Sequence, residues 1–167
     1  MMCLILPIMK LASLLTPHQV MLNLKGDTCT EAIAEIINHL IFNGLLAESL
    51  HDEIIQLLKE REQQISTGIG SGVAIPHAFS ENVETVTACF ARSDKGVDFE
   101  ALDNAPVNFI ILFVVPKKDY NLHLQTLAAI AKMFNNCEVR QRLQDAETAA
   151  EVLDIFASRP SRTRYEQ

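Results

Sequence analysis

Early in the chain, apolar residues recur at three- and four-residue intervals, at Ile33, Ile36, Ile37, Leu40 and Ile41. That spacing marks one face of an α-helix. Gly26 and Asp27 lead into Thr28-x-x-Glu31, a capping-box pattern, and Gly44 supplies a stop. A second helix is predicted from about Ser49, through Ile54, Ile55, Leu57 and Leu58, into the charged run Lys59-Glu60-Arg61-Glu62. From Ser66 to Arg92 the text becomes glycine-punctuated and rich in Val, Thr, Ile and Phe, and Val73 to Ile75 and Val83 to Ala91 read as strands. Val107 to Val115, closed by Pro116, is almost unbroken in apolar character and predicts a central strand buried on both faces. Asp119 then precedes a helix carrying Leu124, Leu127, Ala128, Ile130, Ala131 and Phe134, and a final helical pair is expected within Glu138 to Ala157. Helices before and after a cluster of strands predict an α/β layered fold.

Length and punctuation make this a single domain: 167 residues contain no linker, repeat or low-complexity tract. At 49% apolar residues the chain can fill a core of that size. Met1 to Ile8 is too short to span a bilayer, has no basic residue before its apolar stretch and no cleavage motif after it. We read it as an upstream extension of a fold beginning at Met9, and Ser158 to Gln167 as a frayed polar tail. Fourteen Lys and Arg against 21 Asp and Glu leave a net charge of −7. Without a basic run, the chain lacks the clustered cations that a nucleic acid or an anionic membrane surface requires. A partner with a basic face suits it better. Cys3, Cys29, Cys89 and Cys137 form no Cys-x-x-Cys pair, so neither a disulfide scaffold nor a structural zinc site is suggested, and a reducing cytoplasm is the expected setting.

Chemistry concentrates in Ser66-Thr67-Gly68-Ile69-Gly70-Ser71-Gly72-Val73-Ala74-Ile75-Pro76-His77-Ala78. Val73 stands where a dinucleotide fingerprint needs its third glycine, and no Gly-Lys-Ser/Thr is present, so nucleotide-loop readings fail. A glycine-rich hairpin and an anion-binding loop remain open. Pro76 fixes its own φ and biases Ile75 towards extended backbone, so a stiff segment delivers His77. At neutral pH an imidazole has a lone pair able to attack phosphorus or bind a metal. His123, in the first turn of the helix after Asp119, shares a stripe with Leu127, Ile130 and Phe134 at offsets of 4, 7 and 11. Its ring therefore points inward. It is either a core histidine satisfied by a carbonyl or a donor aimed at an anion near the positive end of the helix. His18, His39 and His51 fit surface segments and receive no role.

The run Thr67 to Ala78 resembles the signature of enzyme IIA of the fructose and mannitol class of the bacterial phosphoenolpyruvate-dependent sugar phosphotransferase system, a class that includes nitrogen-regulatory IIA proteins. Met9 to Leu15, Ala105-Pro106-Val107 and His123 to Leu127 are also similar to family text, so the resemblance covers about Met9 to Ala157. It implies a central mixed β-sheet of about five strands flanked by helices on both faces. It also implies that His77 accepts a phosphoryl group through Nε2, with Arg61 and His123 beside that group and Thr67, Gly68, Gly70, Ser71 and Gly72 forming a phosphoryl-binding loop. Glu62 fits the pattern around the site. Ile65 departs from it, standing where relatives usually have glycine, so the turn into the loop should differ in shape.

The resemblance further implies a carrier without cofactor or metal. The donor would be the phosphohistidine of HPr or its nitrogen-branch counterpart, and the acceptor a sugar-specific IIB component. In a regulatory variant, phosphorylation would instead control which target protein is bound. The text Asp94 to Asp103 leans towards the sugar-transport branch. Two other readings remain: a hydrolase with His77 and His123 as metal ligands, and a non-covalent anion-binding module. The first lacks a His-x-His, a His-Glu-x-x-His or a clustered carboxylate partner.

Overall fold

The computed structural model describes residues 11–158. The extension and almost all of the expected tail lie outside them. Six strands form one mixed sheet: β1 (Val20–Met21), β2 (Gly68–Gly70), β3 (Val73–Ala74), β4 (His77–Ser80), β5 (Thr87–Val97) and β6 (Val107–Pro116). The order is β1-β5-β6-β3-β2, with β4 pairing β6 beyond the end of β3. The β5–β6 and β2–β3 pairs are antiparallel, whereas β1–β5, β3–β6 and β4–β6 are parallel.

β6 is central, as its apolar run predicted, and its pleat divides the core. Ile110, Leu112 and Val114 enter one apolar layer with α2 (Cys29–Phe42) and α3 (His51–Gln64). Phe109, Ile111, Phe113 and Val115 enter the other, with α1 (Leu11–Leu14), α4 (Tyr120–Phe134), α5 (Cys137–Asp145) and α6 (Ala149–Ala157). Period-2 geometry thus turns one unbroken apolar sequence into two cores, and the helices do flank both faces.

Helix ends follow local chemistry. Thr28 Oγ1 accepts from the Glu31 amide at 3.3 Å, but Glu31 returns its carboxylate to the Asp27 amide rather than to that of Thr28. Gly44 takes φ +71° after α2, where its amide donates to Ile41 O and that of Leu45 to Leu40 O. The expected strand from Val83 instead begins at Thr87 and continues through Arg92 to Val97, with a register irregularity between those last two. Among the described residues no helix is long and apolar enough to cross a membrane.

Candidate functional site

Ile75 and Pro76 separate β3 from β4, and both short strands lie along β6. The Pro76 carbonyl accepts from the Phe113 amide at 2.9 Å, and His77 pairs in register with Phe113. Pro76 therefore interrupts the run of backbone along β6 without detaching it, and His77 opens β4. Alternation sends Ala78 into the α2–α3 core and His77 and Phe79 towards α4.

There the His77 ring meets His123, with centroids 5.4 Å apart. Phe79 and Phe113 present edges around His123, at 5.4 and 4.9 Å, and Tyr120 lies against Phe79 at 4.8 Å. These rings were missed in the sequence. Phe79 was legible as the residue two places after His77 on one strand face, whereas Phe113 needed the register.

His77 is only 8% exposed, and its Nδ1 lies 2.9 Å from the Ile75 carbonyl. A carbonyl only accepts, so Nδ1 carries the proton and Nε2 the lone pair. Two side-chain atoms among the described residues are both buried and without a hydrogen-bond partner, Arg92 Nε and His123 Nε2. Burial holds the His77 pKa below its usual value against the opposing pull of the Ile75 hydrogen bond, and the positive charge of Arg61 lowers it further. His123, 3% exposed, is pushed down to about 4 by burial and by the neighbouring His77. Both rings are neutral at pH 7, and the buried Nε2 of His123 is an unsatisfied polar atom that an incoming anion could pair.

Arg61 and Glu62 come from the last turn of α3. Arg61 Nη1 donates to the Ile65 carbonyl at 2.8 Å, which steadies one arm of a guanidinium with five donors. The Glu62 carboxylate accepts from the Thr67 amide at 3.1 Å and from the Thr67 hydroxyl. Its pKa is raised by burial, although the two Thr67 hydrogen bonds and Arg61 pull the other way. Ile65, the expected departure at the entry to the loop, is extended at φ −149° and 65% exposed, so this turn needs no left-handed residue.

The glycine-rich loop divides. The Thr67 carbonyl accepts from the Ile75 amide at 3.0 Å, and Gly68 pairs with Ala74, so this end borders the His77 segment. Gly70, Ser71 and Gly72 form a left-handed hairpin tip, with φ of +92°, +58° and +76°. Val73 faces Phe109 while His77 faces Phe113, a four-residue separation along β6 of roughly 13 Å. The structure therefore does not bring Gly70, Ser71 and Gly72 to His77. Their backbone is engaged elsewhere: Ser71 N donates to Asp103 Oδ2 at 3.1 Å, and Gly72 O accepts from the Asn108 and Phe109 amides. The Thr67 and Gly68 amides are likewise taken, by Glu62 and by Ser66 Oγ. The glycines serve a hairpin and a close approach, since a Cβ on Gly68 would sit 2.7 Å from Ala101 Cβ.

Of the remaining histidines, His39 Nε2 meets the His18 carbonyl and His51 Nδ1 meets Asp52, each on the surface. Among the described residues no three His, Cys, Asp or Glu side chains converge as a metal site requires, so His77 and His123 lack a third ligand.

Residues 13–159 match the family model described as phosphoenolpyruvate-dependent sugar phosphotransferase system, EIIA 2. The chain is 33% identical over 148 residues to the fructose-specific EIIABC component of Bacillus subtilis, covering 89% of this chain but 23% of that protein. It is 34% identical over 146 residues to the nitrogen regulatory protein of Pseudomonas aeruginosa, covering 87% and 94% of the two. Among solved structures, nitrogen regulatory protein IIA-Ntr from Neisseria meningitidis aligns with a TM-score of 0.79 at 30% identity, covering 87% of this chain and 97% of the other.

Proposed function

We propose that this chain, which belongs to the EIIA 2 family of the phosphoenolpyruvate-dependent sugar phosphotransferase system, carries a phosphoryl group on Nε2 of His77. The observation that supports the assignment is the Nδ1 contact with the Ile75 carbonyl, which leaves the lone pair on Nε2 of a ring that neighbours His123 and feels the charge of Arg61. The P–N bond of a donor phosphohistidine breaks, its ring keeping the electron pair, as the His77 Nε2 lone pair forms the new N–P bond. Positioning and charge relief on the three equatorial oxygens are the protein's tasks. The Arg61 guanidinium supplies positive charge and the neutral His123 ring a donor. The Thr67, Gly68 and Ser71 amides are already engaged, which shifts the work towards these side chains.

The donor would be HPr or its nitrogen-branch counterpart, whose basic face the chain's −7 charge would attract. The acceptor would be a IIB component of fructose- or mannitol-type uptake, with the chain acting in the cytoplasm. A regulatory reading is supported by the near-complete coverage of the Pseudomonas nitrogen regulatory protein. In that case phosphorylation at His77 would select the binding partner. The domain we assign to this role is 9–157.

Incubation with phosphoenolpyruvate, enzyme I and HPr, followed by mass spectrometry of acid-labile phosphate, tests the assignment. One phosphate on the wild-type chain and none on His77→Ala supports it, and full labelling of His77→Ala removes it. Passage of label to fructose- or mannitol-type IIB proteins selects the transport branch.

A further inference from the structure

The His77 ring is held by one carbonyl, and that carbonyl belongs to a chain of contacts reaching back to α3. Ile75 accepts from His77 Nδ1 through its oxygen and donates its amide to the Thr67 carbonyl at 3.0 Å. Thr67 in turn places both its amide and its hydroxyl on the two carboxylate oxygens of Glu62. On the other side of Ile75, Pro76 is fixed by its bond from Phe113 N. The Ile75 peptide is therefore clamped from both ends, by β6 through Pro76 and by α3 through Thr67.

From this geometry we infer that Glu62 is a positioning residue for phosphoryl transfer: through Thr67 and Ile75 it fixes the tautomer and orientation of the His77 ring. The inference rests on His77 being the phosphoryl carrier. Glu62 needs no contact with the phosphoryl group to do this. A partly buried carboxylate with two oxygens can satisfy an amide and a hydroxyl of one residue at once, which pins that residue more firmly than either bond alone. Without Glu62, the Thr67 amide and hydroxyl lose their acceptors and the turn from α3 into β2 loosens. The Thr67–Ile75 bond then no longer holds the Ile75 carbonyl against His77 Nδ1. The neutral ring could place its proton on Nε2 instead, and that form cannot attack phosphorus. The same last turn of α3 carries Arg61, so one helix end would supply both the charge beside the site and the register of its nucleophile.

The test uses the full chain with Glu62→Ala, Glu62→Gln and, should the alanine variant not fold, Thr67→Val. The tautomer of His77 is read from long-range 1H–15N spectra of the unphosphorylated protein, so this arm does not depend on transfer occurring. Wild type should show a protonated Nδ1. Glu62→Ala or Thr67→Val should show a mixture of tautomers, with a transfer rate from phospho-HPr reduced roughly tenfold or more at unchanged KM, as expected for a displaced nucleophile. Glu62→Gln, whose amide can accept from Thr67 N and donate to its hydroxyl, should recover most of the rate. A folded Glu62→Ala or Thr67→Val protein with an unshifted tautomer and wild-type transfer overturns the inference. An unlabelled wild type with the Nδ1–H tautomer would overturn the carrier reading while leaving the positioning chain intact.

Discussion

The rings of His77 and His123 stand 5.4 Å apart, centroid to centroid, and are tilted by 54°. That separation is close enough for two neutral imidazoles to serve one anion, and it makes each ring's protonation costly to the other. Nε2 of His123 is buried and unpaired, so a phosphoryl oxygen would satisfy it. We expect His123→Ala to leave His77 as the acceptor but to slow transfer from phospho-HPr by about 10²-fold, in the range seen when one charge-stabilising donor is removed. Rapid-quench measurement of the rate checks this. A wild-type rate would make His123 a packing residue against Phe79 and Phe113.

The same burial gives stability a pH dependence with a definite sign. His123 has a folded-state pKa of about 4, against about 6.5 for an unfolded histidine. Between those values the unfolded chain binds a proton that the folded one does not, so stability falls as pH drops through this window. The lowered pKa of His77 adds to the fall, whereas the raised pKa of Glu62 opposes it. Comparing wild type with His123→Gln cancels the terms that the two proteins share. Urea midpoints from pH 7 to 4.5 should decline more steeply for wild type, and parallel curves would contradict the assigned burial.

Arg61 acts on His77 through its charge, which helps to lower the His77 pKa. Removing it should therefore raise that pKa towards the ordinary histidine value, readable by NMR titration of the ring. Arg61→Ala should also slow transfer by tenfold or more, since a guanidinium relieving charge on a transferring phosphoryl group is worth about that much or greater. Arg61→Lys, which keeps the charge but not the planar fork, should restore the pKa more fully than the rate. A pKa unchanged in Arg61→Ala would mean that the guanidinium swings away from the ring in solution.

Much of the fold was legible because its strongest signals are periodic. α2 follows from Ile33, Ile36, Ile37 and Leu40, all buried, and β6 from an apolar run that only a strand covered on both faces would carry. β1 left no signal, because two residues paired only to β5 carry too short a pattern. β4 was hidden by Pro76 and by the polar residues His77 and Ser80, and β5 extended through Asp94, Lys95 and Gly96, which composition reads as a turn. Within the site, the inward stripe of His123 with Ile130 and Phe134 was readable from helical spacing. The distance from the glycine tip to His77 was not, because it depends on where β3 and β4 register along β6. The family resemblance implies a single loop around the phosphoryl group, whereas nearly extended backbone carries residues 72 and 77 far apart.

That separation yields a prediction distinguishing a hairpin tip from a phosphoryl cradle. Gly70 has φ +92°, a region that residues with a Cβ adopt only at a cost, yet its missing Cβ would meet nothing closer than Asp103 Oδ2 at 3.5 Å. Gly70→Ala should thus destabilise the fold by conformational strain rather than by collision, by about 1–2 kcal/mol. Because the tip lies roughly 13 Å along β6 from His77, the proposed phosphoryl site should be unaffected. Below its unfolding transition the variant should accept phosphate from phospho-HPr at the wild-type rate. Gly68→Ala should cost more stability, since Ala101 must move to admit the new methyl group. Denaturant midpoints combined with transfer rates on the same samples separate the two effects. A large loss of transfer in a folded Gly70→Ala protein would restore the tip to the reacting group and require the hairpin to bend towards His77 during transfer.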